Sequence, residues 1–265
     1  MSKGDEQGVR WALEVRDRAA VEPPSSAATL AASSTPVGVL DRSVAVMAAV
    51  EDGARSFSAI VKATGFTRTT AHRLIAALEK HGFLLNVGGF GYALGPRLLG
   101  LAATAMRELP LRDLARPALD RLASTTGESA QLYIRDGARR ICVDSIESGQ
   151  ELRTIVEVGA SLPLDRGSAG RVFLAWDPRP ESEQDPRLAQ QLATVRRRGW
   201  ADSHGEREPG VASVSAPVFG PDAMLLAAVS ISGPASRLPP LRAKERAPAV
   251  LEAARRIEAA LGVDR

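Results

Sequence analysis

Arg68, Thr69, Thr70, His72 and Arg73 place two guanidinium groups, two hydroxyl-and-methyl side chains and an imidazole within six consecutive residues. Such a set can read base edges in a DNA major groove, where Arg takes a guanine bidentately and a Thr methyl meets the thymine methyl. These groups act together only if one helix carries them at its front end, as the second helix of a helix-turn-helix does. Residues 56–82, SFSAIVKATGFTRTTAHRLIAALEKHG, can supply that helix. Ser56 can cap a first helix whose apolar residues Phe57, Ile60 and Val61 recur at helical spacing. Gly65 supplies the left-handed residue that ends it, and Thr67 caps the second helix and joins the candidate DNA contacts. Ala71, Leu74, Ile75 and Leu78 form the buried side of the second helix. An ordinary helical hairpin with a solvated polar face has the same spacing, because this signal is degenerate.

The flanking sequence adds to the reading. Residues 83–85 read as a strand, 86–89 as a Gly-Gly turn and 90–94 as a returning strand. Before the motif, residues 39–50 form a helix with an apolar stripe, ended near Gly53. Three helices and a hairpin make a winged helix, in which Asn86 and Tyr92 either touch DNA or complete the sheet.

The chain of 265 residues carries a net charge of +3. Residues 36–97 hold seven basic side chains (Arg42, Arg55, Lys62, Arg68, Arg73, Lys80, Arg97) against four acidic ones (Asp41, Glu51, Asp52, Glu79), so the whole excess can sit on this module. A single cysteine, Cys142, excludes an internal disulfide and a cysteine-rich zinc site, and its strand-like surroundings predict a buried small hydrophobe. The start, MSKGDEQGVR, lacks an apolar signal core, and no apolar run is long enough to cross a bilayer. The expectation is a cytoplasmic protein with no membrane partner.

Residues 1–36, rich in Pro, Ser and Ala after position 22, read as a disordered extension, and 37–95 as the winged-helix domain. An unusually apolar linker helix (Leu98, Leu99, Leu101, Ala102, Ala105, Met106) occupies 96–110. Packing against a second copy or against its own domain would explain that composition. From 111 to 265 the pattern is a helix (111–126), strands at 129–135, 140–146 and 152–158, and a short extended run at 162–164. A helix from Gly167 to Trp176, an acidic Pro-rich loop (177–185) and a polar helix (186–198) follow. The chain closes with strands at 211–218 and 225–232 and a helix at 241–261. Strands flanked by helices at both ends give an α+β domain with an antiparallel sheet.

Catalytic chemistry finds little support. His72, His81 and His204 have no ligand spacing and no acidic cluster, so no metal site is expected. No cofactor motif, phosphate loop or Gly-x-Ser-x-Gly turn is present. A serine hydrolase using Ser203 or Ser213 with His204, beside a vestigial helix-turn-helix, is the rival enzyme reading. A ligand pocket fits better. Gly167-Ser168-Ala169-Gly170 puts free amides at a helix start, a receptor for a carboxylate, although small residues there also permit close packing. Ser230 and Ser232 point to one side of an otherwise apolar strand, where buried hydroxyls need partners. A small polar ligand, backbone groups or buried water can serve. Residues 196–203 read as a loop that joins the basic run Arg196-Arg197-Arg198, favoured by the dipole of the helix it ends, to an aromatic and polar tip, and His204 reads as a loop residue.

The order of helix, helix-turn-helix, wing and linker helix resembles the IclR family of bacterial transcription regulators. The resemblance rests on Thr69-Thr70-Ala71-His72-Arg73-Leu74, Tyr92-Ala93-Leu94-Gly95, Gly170-Arg171, Gly199-Trp200-Ala201, Glu208-Pro209-Gly210-Val211, Ser215-Ala216-Pro217-Val218 and Ser230-Ile231-Ser232-Gly233-Pro234, and spans about residues 37–262. It implies a winged helix-turn-helix joined to a GAF-like effector domain. It also implies dimers, in many members paired into tetramers, and a palindromic operator in double-stranded DNA. The effector it implies is a small carboxylate, aromatic acid or amino-acid-like molecule. Ser168 and Ala169 match the family's carboxylate-binding amides, and Ser203, Ser213, Ser230 and Ser232 its remaining pocket positions. Ser203 stands where some members have Asp, and Ser213 where some have Cys, which departs from a pocket for hydroxy- or keto-acids. The run from Arg198 to Ser213 looks like an actinobacterial subgroup tied to leucine and other amino-acid biosynthesis genes.

Overall fold

The computed structural model describes residues 38–107, 110–177, 185–220 and 223–263; the N-terminal extension and most of the acidic loop lie outside them. The described residues divide into two compact units, one from 38 to 107 and the other from 110 to 263.

The first unit holds α1 (Gly38–Glu51), α2 (Phe57–Thr64), α3 (Arg68–Lys80), β1 (Leu84–Asn86), β2 (Tyr92–Leu94) and α4 (Pro96–Arg107). Its helix boundaries follow from side-chain chemistry. Ser56 Oγ accepts the Ala59 amide at 3.1 Å, Gly65 ends α2 at φ +69°, and Thr67 Oγ1 accepts the Thr70 amide at 3.3 Å. Val46, Val50, Ile60, Leu74, Ile75, Leu78 and Leu84 form one core, which the spacing of the motif predicts. β1 lies one residue later than the expected 83–85 and takes Asn86 out of the turn, while β2 is shorter than the expected 90–94. Phe83 precedes β1, and Phe90 lies in a helical turn (Gly88–Phe90) at the tip, 86% exposed. The cause is Gly91: at φ +82° it passes so close to Arg55 that a Cβ would sit 2.1 Å from that carbonyl, and β2 starts only after it. The Tyr92 amide then donates to the Arg55 carbonyl at 2.7 Å, fastening the wing to the α1–α2 connection.

The second unit contains α5 (Pro110–Thr126), β3 (Ser129–Asp136), β4 (Arg139–Ile146), β5 (Ser161–Pro163), α6 (Ser168–Ala175), α7 (Pro186–Arg198), β6 (Ala201–His204), β7 (Val211–Phe219), β8 (Leu225–Pro234) and α8 (Pro240–Ala260). The strands form one sheet in the order β5-β4-β3-β8-β7-β6, with every neighbouring pair antiparallel. Helices α5 and α8 cover one face and α6 and α7 the other, each over its own apolar cluster.

Two expectations fail here. Residues 152–158 are not a strand. The edge of β4 is taken by β5 and by Ala160, whose carbonyl accepts the Cys142 amide at 2.9 Å, while Leu152 and Ile155 face solvent. The segment is held instead through its carbonyls: Thr154 O accepts from Ser129 at 2.7 Å and Leu152 O from Arg237 at 2.8 Å. Conversely, residues 196–203 are not one loop. Gly199 ends α7 at φ +77°, and Ala201–His204 forms edge strand β6, so His204 lies on a strand.

Candidate functional site

In the first unit, α3 exposes Arg68, Thr69, His72 and Arg73 at its front while Ala71, Leu74, Ile75 and Leu78 are buried behind. Arg68 and His72 share a partner. The Arg68 guanidinium lies 5.0 Å from the Phe57 ring centroid, and the His72 ring meets Phe57 edge-on at 6.4 Å. Thr67 and Thr70 hold each other at the helix cap, their hydroxyls 3.0 Å apart. Thr69 and Arg73 carry no such intramolecular contacts among the described residues. In the wing, Asn86 Oδ1 accepts the Gly88 amide at 3.0 Å and shapes the turn, and Tyr92 packs on the core. Asn86 remains exposed, whereas Tyr92 is half-buried.

In the second unit, strand alternation sorts the sheet into two chemically different faces. Toward α5 and α8 point Ala130 and Leu132 of β3, Ala212, Val214, Ala216 and Val218 of β7, and Ala227, Val229 and Ile231 of β8. The face toward α6 carries Ser129, Gln131 and Tyr133 on β3, Arg140 on β4, Ser203 on β6, Ser213 and Ser215 on β7, and Ser230 and Ser232 on β8. All are buried except the half-buried Ser213. Strand register lines these up: Ser203 opposes Ser213, Ser213 opposes Ser232, and Ser232 opposes Ser129.

All six expected pocket residues, Ser168, Ala169, Ser203, Ser213, Ser230 and Ser232, line a single cavity of about 30 Å³, together with Tyr133, Arg140, Val156, Gly167, Arg207 and Val211. The inward hydroxyls do find partners, chiefly one another. Ser168 Oγ lies 2.7 Å from both Ser213 Oγ and Ser215 Oγ, Ser215 Oγ lies 2.8 Å from Ser230 Oγ, and Ser232 donates to Gln131 Oε1 at 3.1 Å. At the helix start, the Gly167 amide donates to Glu206 Oε2 at 3.1 Å, while the Ser168 and Ala169 amides meet no acceptor among the described residues. Two glycines allow this close approach. A Cβ on Gly170 would sit 2.2 Å from the Leu164 carbonyl oxygen, and one on Gly167 3.1 Å from Arg140 Nη2.

The sequence reading missed Arg140, Tyr133, Arg207, Ser215 and Gln131. Arg140 is 3% exposed; its Nη1 donates to the Arg166 carbonyl at 2.9 Å and to that of Pro163, and its guanidinium lies 5.5 Å from the Tyr133 ring centroid. Burial lowers its pKa, with Tyr133 opposing and Arg207 reinforcing the shift. Burial likewise raises the Tyr133 hydroxyl far above its ordinary range. The triad geometry of a hydrolase is missing. Ser203 and His204 are successive residues of β6 and so face opposite sides, and His204 Nε2 lies 3.3 Å from Asp202 Oδ2. Among the described residues no three His, Cys, Asp or Glu side chains converge as a metal site would require. No helix among them is long and apolar enough to cross a membrane.

A DNA-facing helix on a winged helix, followed by a sheet domain with a polar inner face, defines the class of a ligand-sensing transcription regulator. Comparison with known proteins bears this out. Residues 39–88 match the IclR helix-turn-helix domain, and residues 103–186 and 182–259 match the bacterial transcriptional regulator IclR C-terminal domain. The chain belongs to the IclR family of transcriptional regulators. It is 31% identical over 246 residues to the glycerol operon regulatory protein of Streptomyces griseus, covering 85% of this chain and 97% of that one. It is 30% identical over 195 residues to the HTH-type transcriptional regulator KipR of Bacillus subtilis, covering 67% and 78%. Among solved structures, an IclR transcriptional regulator from Silicibacter sp. TM1040 superposes with a TM-score of 0.72 at 26% identity, covering 86% of this chain and 97% of that one.

Proposed function

We propose that α3 reads a palindromic operator, with Thr69 and Arg73 as its leading base contacts, and that the cavity of the second unit binds a small carboxylate or amino-acid-like effector. The polar inner face of the sheet carries the effector reading. A buried face built of serines, a glutamine, a tyrosine and an arginine costs stability against an aliphatic one, and a small polar ligand makes it useful. Free amides at Ser168 and Ala169 suit the carboxylate. Thr67 and Thr70 serve the helix cap, and Arg68 is steered by Phe57, so both would support the contacts made by their neighbours.

A palindrome requires two copies. The exposure of Leu99 (74%) and Leu101 (43%) on α4 supports pairing through the first unit. The effector would then bias the dimer by binding one arrangement more tightly than the other. Genes of amino-acid or carboxylate metabolism are the proposed targets. The test is a mobility-shift titration of the DNA upstream of the chain's own gene, at fixed salt, with and without a panel of small carboxylic and amino acids. At least one acid is expected to change DNA affinity severalfold. If a bound acid leaves affinity unchanged, the effector role is wrong.

A further inference from the structure

We propose that the cavity selects a compact dianion, a short dicarboxylate or a small phosphate ester, held between Arg140 and Arg207; this rests on reading the cavity as the effector site. Arg140 is almost fully buried, yet among the described residues no carboxylate pairs with it, and its Nε has no hydrogen-bond partner. Carbonyl oxygens satisfy N–H groups but do not neutralise a charge, and a buried guanidinium with no paired carboxylate carries a desolvation penalty. The Tyr133 ring face and the Asp165 carboxylate, which acts on Arg140 from a distance without pairing with it, offset only part of it.

A second cation converges on the same space. Arg207, from the β6–β7 turn, lines the cavity, and its acidic partner is Glu208 at 3.7 Å, a residue that is itself 64% exposed. Arg207 is near enough to act electrostatically on both Arg140 and Tyr133. Neither Asp nor Glu lines the cavity, and the nearby Glu206 is engaged with Arg171 and the Gly167 amide. Two like charges facing a common void repel unless negative charge lies between them. One anionic group is enough for the Ser168 and Ala169 amides; two are needed to compensate both arginines.

Size sets the other limit. About 30 Å³ is room for roughly one water, so even a three-carbon diacid requires the turn bearing Arg207 to move outward. Gly205 and Gly210, at φ +69° and +80° with no atom within 4 Å of an added Cβ, bracket that turn. Arg207 would then close over the second anionic group.

Titration calorimetry on the full chain, at constant ionic strength, tests this with malonate, succinate, glycerol 3-phosphate and propionate. At least one dianion is expected to bind about tenfold or more tighter than propionate, a margin of about 1.4 kcal/mol. Preference for succinate or malonate would identify a dicarboxylate, and preference for glycerol 3-phosphate a phosphate ester. In Arg207→Gln, a turn variant that leaves the core intact, dianion affinity should fall about tenfold while propionate changes less than about threefold. Propionate binding as tightly as every dianion, or an unaffected Arg207→Gln, overturns the dianion inference and leaves the effector site standing. Absence of binding by all four compounds overturns the dianion inference, and absence of binding by the whole panel of carboxylic and amino acids overturns the effector site as well.

Discussion

Glu206 Oε2 accepts the Gly167 amide at 3.1 Å, so a carboxylate from the β6–β7 turn already sits at the start of the helix that borders the cavity. Its other oxygen pairs with Arg171, one turn further along α6. The same turn carries Arg207, so these two bonds fasten the cavity's mouth to its amide-lined wall. A carboxylate at a helix N-terminus is favoured by the free amides and by the helix dipole.

Replacing that carboxylate by an amide should loosen the mouth without emptying the core. Glu206→Gln is expected to lower unfolding stability by about 1 kcal/mol, the lower end for charged hydrogen bonds because the pair is partly solvated. Urea titration of the variant checks this; a midpoint equal to wild type would mean that the bonds do not secure the turn.

Gly170→Ala should be far more damaging. The new methyl would meet the Leu164 carbonyl at 2.2 Å, and backbone cannot move aside as a side chain can. A loss of about 2–3 kcal/mol is expected, as for overpacked interiors. The melting temperature should drop by several degrees, whereas Gly100→Ala in the exposed interior of α4, where nothing lies within 4 Å of the new methyl, should not lower it.

Thr67 and Arg73 separate stability from recognition. Thr67→Ala removes the cap on α3 and should cost about 1 kcal/mol of stability. Arg73→Ala should leave melting unchanged but weaken operator binding by about 1–3 kcal/mol, the range of a bidentate base contact. Parallel melting and anisotropy titrations would show the two effects in different columns of data; equal operator affinity in Arg73→Ala would remove that residue from the interface.

Alkaline pH should expose the buried Cys142. Burial, reinforced by the Asp144 carboxylate, pushes its thiol from 9.0 up to about 12. Unfolded chains ionise this thiol first and so bind fewer protons, which makes stability fall as pH rises above 9. The slope approaches about 1.4 kcal/mol per pH unit. Tyr133, also raised by burial, adds to the decline above pH 10. Denaturation midpoints measured across that range should fall less steeply in Cys142→Ala than in wild type; identical slopes would contradict the assignment.

The helix-turn-helix was legible because its limits are local. Ser56, Gly65 and Thr67 act within a few residues of themselves, and the apolar spacing behind α3 needs no tertiary knowledge. Residues 152–158 misled because β-branched, apolar residues suit a strand, but a strand also needs a free edge, and β5 holds it. The pocket serines were found through alternation and family resemblance. Alternation alone would have added Ser215, two residues from Ser213. It would also have added Arg140, which shares the buried face with Cys142. Arg207 had no such signal: it lies on a turn, and only the folded β6–β7 connection brings it to the cavity.

Capture of sheared genomic fragments by the purified full chain, at a fixed and stated salt concentration, tests the central account most directly, since affinity without salt is uninterpretable. The account predicts recovery of a palindromic site, lost with Arg73→Ala and modulated by a small anionic acid. Binding that remains salt-sensitive and indifferent to sequence, with and without the acids, would contradict it.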